Sequence, residues 1–80
     1  MISTDQIRAA RAFLRWTALD LAQASGVGVA TIRRMEVTHG VPEGNIKTLA
    51  AIQTALEAAG IEFIGSPSDA PGVRLRSKEV

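Results

Sequence analysis

Residues 17–37, TALDLAQASGVGVATIRRMEV, decide how the rest of the chain is read. Thr17 followed three positions later by Asp20 has the form of a capping box, which predicts a helix opening at residue 18 with Leu21 and Ala22 turned inward. Gly26 suits the left-handed residue that ends such a helix, so this element is short, about residues 18–25. Gly28 is a tolerable N-cap, and Val29 to Val37 then make a third short helix in which Ile32 and Met35 share a face. Two short helices around a glycine turn, the second opening with small residues, are the sequence form of a helix-turn-helix, whose second helix enters a major groove. Leu21, Val27, Ile32 and Met35 hold the two helices at a fixed angle, and small side chains at residues 28–30 let the backbone approach base edges. Arg33 and Arg34 fall off the Ile32/Met35 stripe. A solvated helix face is the bland reading of such arginines, and a nucleic-acid contact is the sharp one.

Upstream, Ser3-Thr4-Asp5-Gln6 opens like a second capping box, and Ile7, Ala10 and Leu14 recur at helical spacing, predicting a first helix over about 4–15. Downstream, Thr38 to Gly44 carries two glycines and a proline and reads as a loop. Asn45 then caps a fourth helix over about 46–59, with Leu49, Ile52, Leu56 and Ala59 on one stripe and Gly60 as its stop. The period next changes to two. Ile61 to Ile64 and Val73 to Arg76 alternate, separated by Gly65 to Gly72, which predicts a hairpin with strands at about 61–64 and 73–76. A lone hairpin is marginal in water, so Phe63 and Leu75 are expected to pack on the helices, and a free strand edge offers pairing to a second copy. Residues 77–80 are expected to fray. The expected architecture is one mainly α domain over residues 1–80, four helices followed by a short C-terminal β-hairpin.

The bulk numbers narrow the function classes. Eighty residues leave no room for an enzyme body beside a binding module, and 46% hydrophobic with 21% charged residues suits a folded domain. With no cysteines there is neither a disulfide framework nor a thiolate zinc site, in keeping with a reducing compartment. No apolar run reaches membrane-spanning length, and the polar opening MISTD is unlike a signal peptide, so an intracellular protein is expected. Nine Lys and Arg against eight Asp and Glu give a net charge of only +1, so a nucleic-acid reading rests on where the charges fall. His39 is the only histidine, the carboxylates are scattered, and the glycines do not follow a strand as a phosphate-cradling loop requires. No catalytic residue, metal site, cofactor or small-molecule ligand is indicated.

IRAARAFLRWTALDLAQASGVGVATIRRMEV, a loop, and then NIKTLAAIQTALEAAGIEFI resemble the Cro/C1-type (XRE) helix-turn-helix regulators over roughly residues 5–64. Glu62-Phe63-Ile64 with Pro71 to Arg76 resembles a compact bacterial subgroup of that family in which a hairpin follows the fourth helix. The resemblance implies a lambda-repressor-like fold and a cytoplasmic, nucleoid-associated transcriptional regulator, a repressor by default, that binds double-stranded DNA as a homodimer. The dimer surfaces it suggests are the hairpin and helix four. It also implies base contacts from Val29, Ala30, Thr31, Arg33 and Arg34, and phosphate contacts from the helix starts at Thr17, Ala18, Gly28 and Asn45 with Lys47. Arg11 and Glu36 hold positions that pair across helices one and three. Three departures weaken the expected grip on DNA: Ala18 and Leu19 stand where Gln and Glu are common, Gly28 replaces a usual Ser, and the loop before helix four holds Glu43 and no Lys or Arg.

Those departures keep a rival reading in view, a helix-turn-helix module that binds another protein, antiactivator- or antitoxin-like, through Ala18, Leu19 and Val29. Leu19 also has the bland reading of a scattered surface apolar residue. Arg8 and Arg15 read as surface charges on helix one, and Trp16 as a packing plug at the junction of helices one and two.

Overall fold

A computed structural model describes residues 2–42 and 45–76. Four helices, α1 (Thr4–Leu14), α2 (Ala18–Ser25), α3 (Val29–Glu36) and α4 (Ile46–Ala58), are followed by an antiparallel hairpin of β1 (Ile61–Ser66) and β2 (Asp69–Leu75). None of the described helices is long and apolar enough to cross a membrane. The expectations for Glu43 and for residues 77–80 fall outside the described residues.

Each helix starts where its capping chemistry places it. Ser3 and Gln6 form a reciprocal capping box on α1, the Gln6 N–H donating to Ser3 Oγ at 3.1 Å and the Ser3 N–H to Gln6 Oε1 at 2.8 Å. Thr17 and Asp20 do the same for α2 at 3.0 and 2.8 Å. Asn45 Oδ1 accepts from the Lys47 N–H at 2.8 Å and opens α4, whereas Gly28 gives α3 no side-chain cap. Gly26 closes α2 with φ of +77°, as a left-handed terminus requires. α1 ends instead on Arg15, a left-handed non-glycine residue with φ of 57°, and Trp16 and Thr17 alone link it to α2. Helices one, three and four each stop one residue before their expected ends, within the usual fraying of helix termini.

The core is one cluster: Ile7 and Ala10 from α1, Leu21 and Ala22 from α2, Ile32 from α3, Ile52 and Leu56 from α4, with Ile2 and Ile61. Leu14, Trp16, Val27, Met35 and Leu49 pack around it, half-buried. Fully burying a leucine or isoleucine side chain contributes about 2 kcal/mol, so the seven in this cluster supply much of the driving force in so small a domain.

The hairpin departs from expectation in two ways. Its strands run into the stretch read as a loop, leaving only Pro67 and Ser68 as the turn. Pro67 supplies the fixed φ that the second position of a tight turn favours, and Pro71, which cannot donate to a ladder, sits where the register slips between Ile64–Gly72 and Ser66–Asp69. Gly65 is obligatory there: with φ of +72°, a Cβ on it would lie 2.1 Å from the Ala70 carbonyl oxygen. The second correction concerns Leu75. The register pairs Ile61 with Leu75 and Phe63 with Val73 on one face, and there Ile61, Phe63 and Val73 pack on the core while Leu75, at the open end, is exposed.

Candidate nucleic-acid interface

α3 carries two chemically distinct sides. Ile32 is buried, and Val29 and Met35 are half-buried against the core cluster. Glu36 faces α1, where its carboxylate accepts a two-pronged bond from Arg11, Nε to Oε2 at 2.9 Å and Nη2 to Oε1 at 2.7 Å. Arg11 Nη1 also donates to the Trp16 carbonyl at 2.8 Å, so one guanidinium ties α1 to α3 and to the α1–α2 link. The hydrogen bond to Glu36 raises the already high Arg11 pKa, outweighing the opposing effect of partial burial.

On the other side, Ala30, Arg33, Arg34 and Val37 are exposed at spacings of three, four and seven, one continuous stripe. Of the residues the sequence nominates for this face, Ala30, Arg33 and Arg34 lie on it. Thr31 and Val29 are half-buried beside it, Val29 packing partly against the core. Val37, 78% exposed, belongs to the stripe and was not nominated. The i+3 spacing from Arg34 was the signal that could have found it.

A groove of about 820 Å³ borders the stripe, with Thr31, Arg34 and Met35 on its α3 wall, Thr38, His39, Val41 and Pro42 at one end, and Asn45, Ile46 and Leu49 on the α4 wall. Arg34 and Asn45 thus face the same space. Ile46, the first residue of α4, is 77% exposed there. Among the described residues no carboxylate lines this groove.

The three helix starts nominated as backbone anchors differ. At α2 the Thr17 hydroxyl and its own N–H are both engaged with Asp20, so the open donors are the N–H groups of Ala18 and Leu19, beside the Asp20 carboxylate. At α3 the exposed Gly28 leaves the first-turn N–H groups uncovered, with no acid in that turn. At α4 the first turn also lacks an acid and carries the exposed Lys47.

Cation pairing separates the same regions. Arg8, expected as a solvated charge, donates to Asp5 and to the Glu36 carbonyl at the end of α3. Arg74 and Arg76 pair with Glu62 across the hairpin. Among the described residues Arg15, Arg33, Arg34 and Lys47 have no side-chain partner. Two of these four are on the outward stripe of α3, and a third begins α4.

The apolar surface nominated for a protein partner is smaller than expected. Ala18 and Val29 pack against the core, leaving Leu19, 51% exposed, as its only fully outward member. Among the described residues no three His, Cys, Asp or Glu side chains come together as metal ligands would. Comparisons of the chain with protein-family models, with curated proteins and with solved structures give no match.

Proposed function

We propose that the protein is a sequence-specific DNA-binding regulator of the helix-turn-helix kind, with α3 as the recognition helix in a major groove. The observation that carries this reading is the distribution of unpaired cations. Arg33 and Arg34 on the exposed face of α3, Lys47 in the first turn of α4 and Arg15 at the end of α1 are left without side-chain partners among the described residues, while Arg8, Arg11, Arg74 and Arg76 are all satisfied internally. Arginines in the last turn of α3 also suit the helix dipole, but that effect asks nothing of Lys47 at the start of another helix.

In this reading Arg34 forks to a guanine, with Arg33 beside it, and Thr31 serves a base or a phosphate. The uncapped start of α3 at Gly28 and the start of α4 at Asn45, helped by Lys47, hold phosphates through backbone N–H groups and charge. The start of α2 is the weakest of the three anchors because Asp20 lies in it. One recognition helix covers too few base pairs for useful specificity, so the protein acts as a homodimer. The hairpin edge and α4 are the surfaces offered for pairing, and the two recognition helices stand roughly 34 Å apart on a pseudopalindromic operator. Occlusion of a promoter is the expected outcome of such binding.

Fluorescence anisotropy with a duplex selected by the full chain tests the assignment. Arg34→Ala should relax preference at one base pair per half-site, losing about 1–3 kcal/mol of discrimination, whereas Lys47→Ala should weaken all sequences evenly. Identical behaviour of the two variants would overturn the roles given to them.

A further inference from the structure

The outward side of α3 is defined as much by what it lacks as by what it holds. In the major groove adenine is read by the paired donor and acceptor of Asn or Gln, and cytosine by a carboxylate. Guanine is read by an Arg fork, and thymine by apolar contact with its C5 methyl. The stripe offers Ala30, Arg33, Arg34 and Val37, with the adaptable hydroxyls of Thr31 and Thr38 beside it. It has no Asn, Gln, Asp or Glu. The one carboxylate of α3, Glu36, is held by Arg11 on the opposite side. What remains is two guanidinium groups set between two methyl-bearing side chains. The duplex is the occupant that the charge pattern favours, because the stripe's cations lack internal partners and no carboxylate among the described residues lines the adjoining groove.

We propose that this face reads the C5 methyl groups of pyrimidines on either side of a guanine, with Val37 as a specificity-determining residue, so that 5-methylcytosine can replace thymine in the half-site. This deepens the DNA-binding reading and rests on it. Ala30 and Val37 are seven residues apart, about 10 Å along the helix axis, and Arg34 stands near the middle of that span. Ten ångströms spans about three base-pair steps of 3.4 Å, so the two methyl-bearing pyrimidines stand about three steps apart, with the guanine at one of the two positions between them. Thymine and 5-methylcytosine carry the same methyl at the same place in the groove and differ at the neighbouring exocyclic group, O4 acceptor or N4 donor. Neither Ala30 nor Val37 can sense that difference, and a threonine hydroxyl serves either. Val37 at 78% exposure gives the folded monomer almost no packing, so its apolar surface is free for this contact.

The test begins by selecting a duplex from a random library with the full chain, followed by single-base exchange within the selected half-site and measurement of Kd. A guanine flanked by thymines is expected. Replacing either flanking thymine by uracil should weaken binding roughly fourfold, the worth of one buried methyl group. Unmethylated cytosine should bind at least as weakly as uracil, and 5-methylcytosine should restore binding to within about twofold of thymine, its methyl contact being regained. Val37→Ser should bind the parent duplex about fourfold more weakly and no longer tell thymine from uracil at one flank, with its Tm unchanged. A selected half-site in which thymine and uracil bind alike, or in which adenine or unmethylated cytosine is the base recognised, overturns methyl reading and leaves DNA binding standing. Failure to select any duplex overturns both.

Discussion

The inner corner, where α1 packs against α3 on one side and against the hairpin on another, and the outer stripe of α3 treat polar groups in opposite ways. At the corner every polar side chain is committed. Gln6, buried, accepts from Ser3 and donates through Nε2 to the carbonyls of Ile64 at 3.1 Å and Gly72 at 3.0 Å, which face each other across the hairpin. Thr4 Oγ1 donates to the Thr38 carbonyl at 2.7 Å, its N–H donates to the Gly40 carbonyl, and Glu36 and the end of α3 are taken up by Arg11 and Arg8. No buried side-chain nitrogen or oxygen among the described residues is left without a partner. On the outer stripe the cations have no internal role. A guanidinium kept unpaired beside exposed apolar groups contributes little to the stability of the monomer beyond a small helix-dipole effect, so the two sides should separate under mutation into stability and binding.

The largest effect is expected from breaking the corner. Glu36→Ala leaves the partly buried Arg11 guanidinium without its carboxylate, keeping only its bond to the Trp16 carbonyl, which should cost about 3 kcal/mol. For a domain of this size that lowers Tm by roughly 10 °C or more in a thermal melt. A shift of only a degree or two would mean that the corner does not act as a clamp. Gln6→Ala removes the return half of a capping box and two partly buried hydrogen bonds to the hairpin, and about 2 kcal/mol should be lost by chemical denaturation. Hydrogen exchange of β1 and β2 should rise more than that of α4, since the side chain joins the hairpin to α1.

The outer stripe should behave in reverse. The double variant Arg33→Ala/Arg34→Ala is expected to stay within about 0.5 kcal/mol of the parent in stability, because surface changes away from caps and cores rarely do more. Its DNA affinity should fall at least tenfold, as losing one good bidentate base contact already implies. A large drop in Tm would assign the arginines to the fold instead.

The smallest effect belongs to the hairpin's exposed face. The hydrogen bond from Arg74 holds the Glu62 carboxyl below the usual carboxylate range; desolvation opposes it, and the charges of Arg74 and Arg76 add to the lowering. A folded pKa below the unfolded one stabilises the protein above the unfolded value, and that contribution is lost as pH falls through the folded value. Glu62→Gln should therefore lower stability slightly at neutral pH, leave it unchanged below the folded value and so flatten the acid limb of the pH–stability curve, a small effect because the pair is largely solvent-exposed.

How far sequence reading reached follows from the range of each interaction. The starts of α1, α2 and α4 were legible because Ser3-x-x-Gln6, Thr17-x-x-Asp20 and Asn45 act within one helical turn. The exposure of Arg33 and Arg34 followed from helical spacing alone. The hold of Gln6 on Ile64 and Gly72 spans 58 and 66 positions, and no local pattern reports it. Arg8 looked like a surface charge because its second acceptor, the Glu36 carbonyl, is brought close only by the packing of α1 on α3. The stretch 65–72 read as loop because glycine and proline dominate it. Strand pairing overrides that composition by placing Gly65 at a positive φ and Pro71 at a break in register. The half-burial of Val29 was not legible either, since helical spacing does not reveal how far the first residue of α3 leans on the core.

Equilibrium binding of the full chain to its selected duplex over a range of salt concentrations tests most directly whether the unpaired cations of α3 and α4 exist to meet phosphates and bases. Log Kobs should fall linearly with log salt at about −0.9 per neutralised phosphate, and Lys47→Ala should make that slope shallower by close to one. Binding that is absent, or indifferent to salt in both proteins, would contradict the assignment of this surface to DNA.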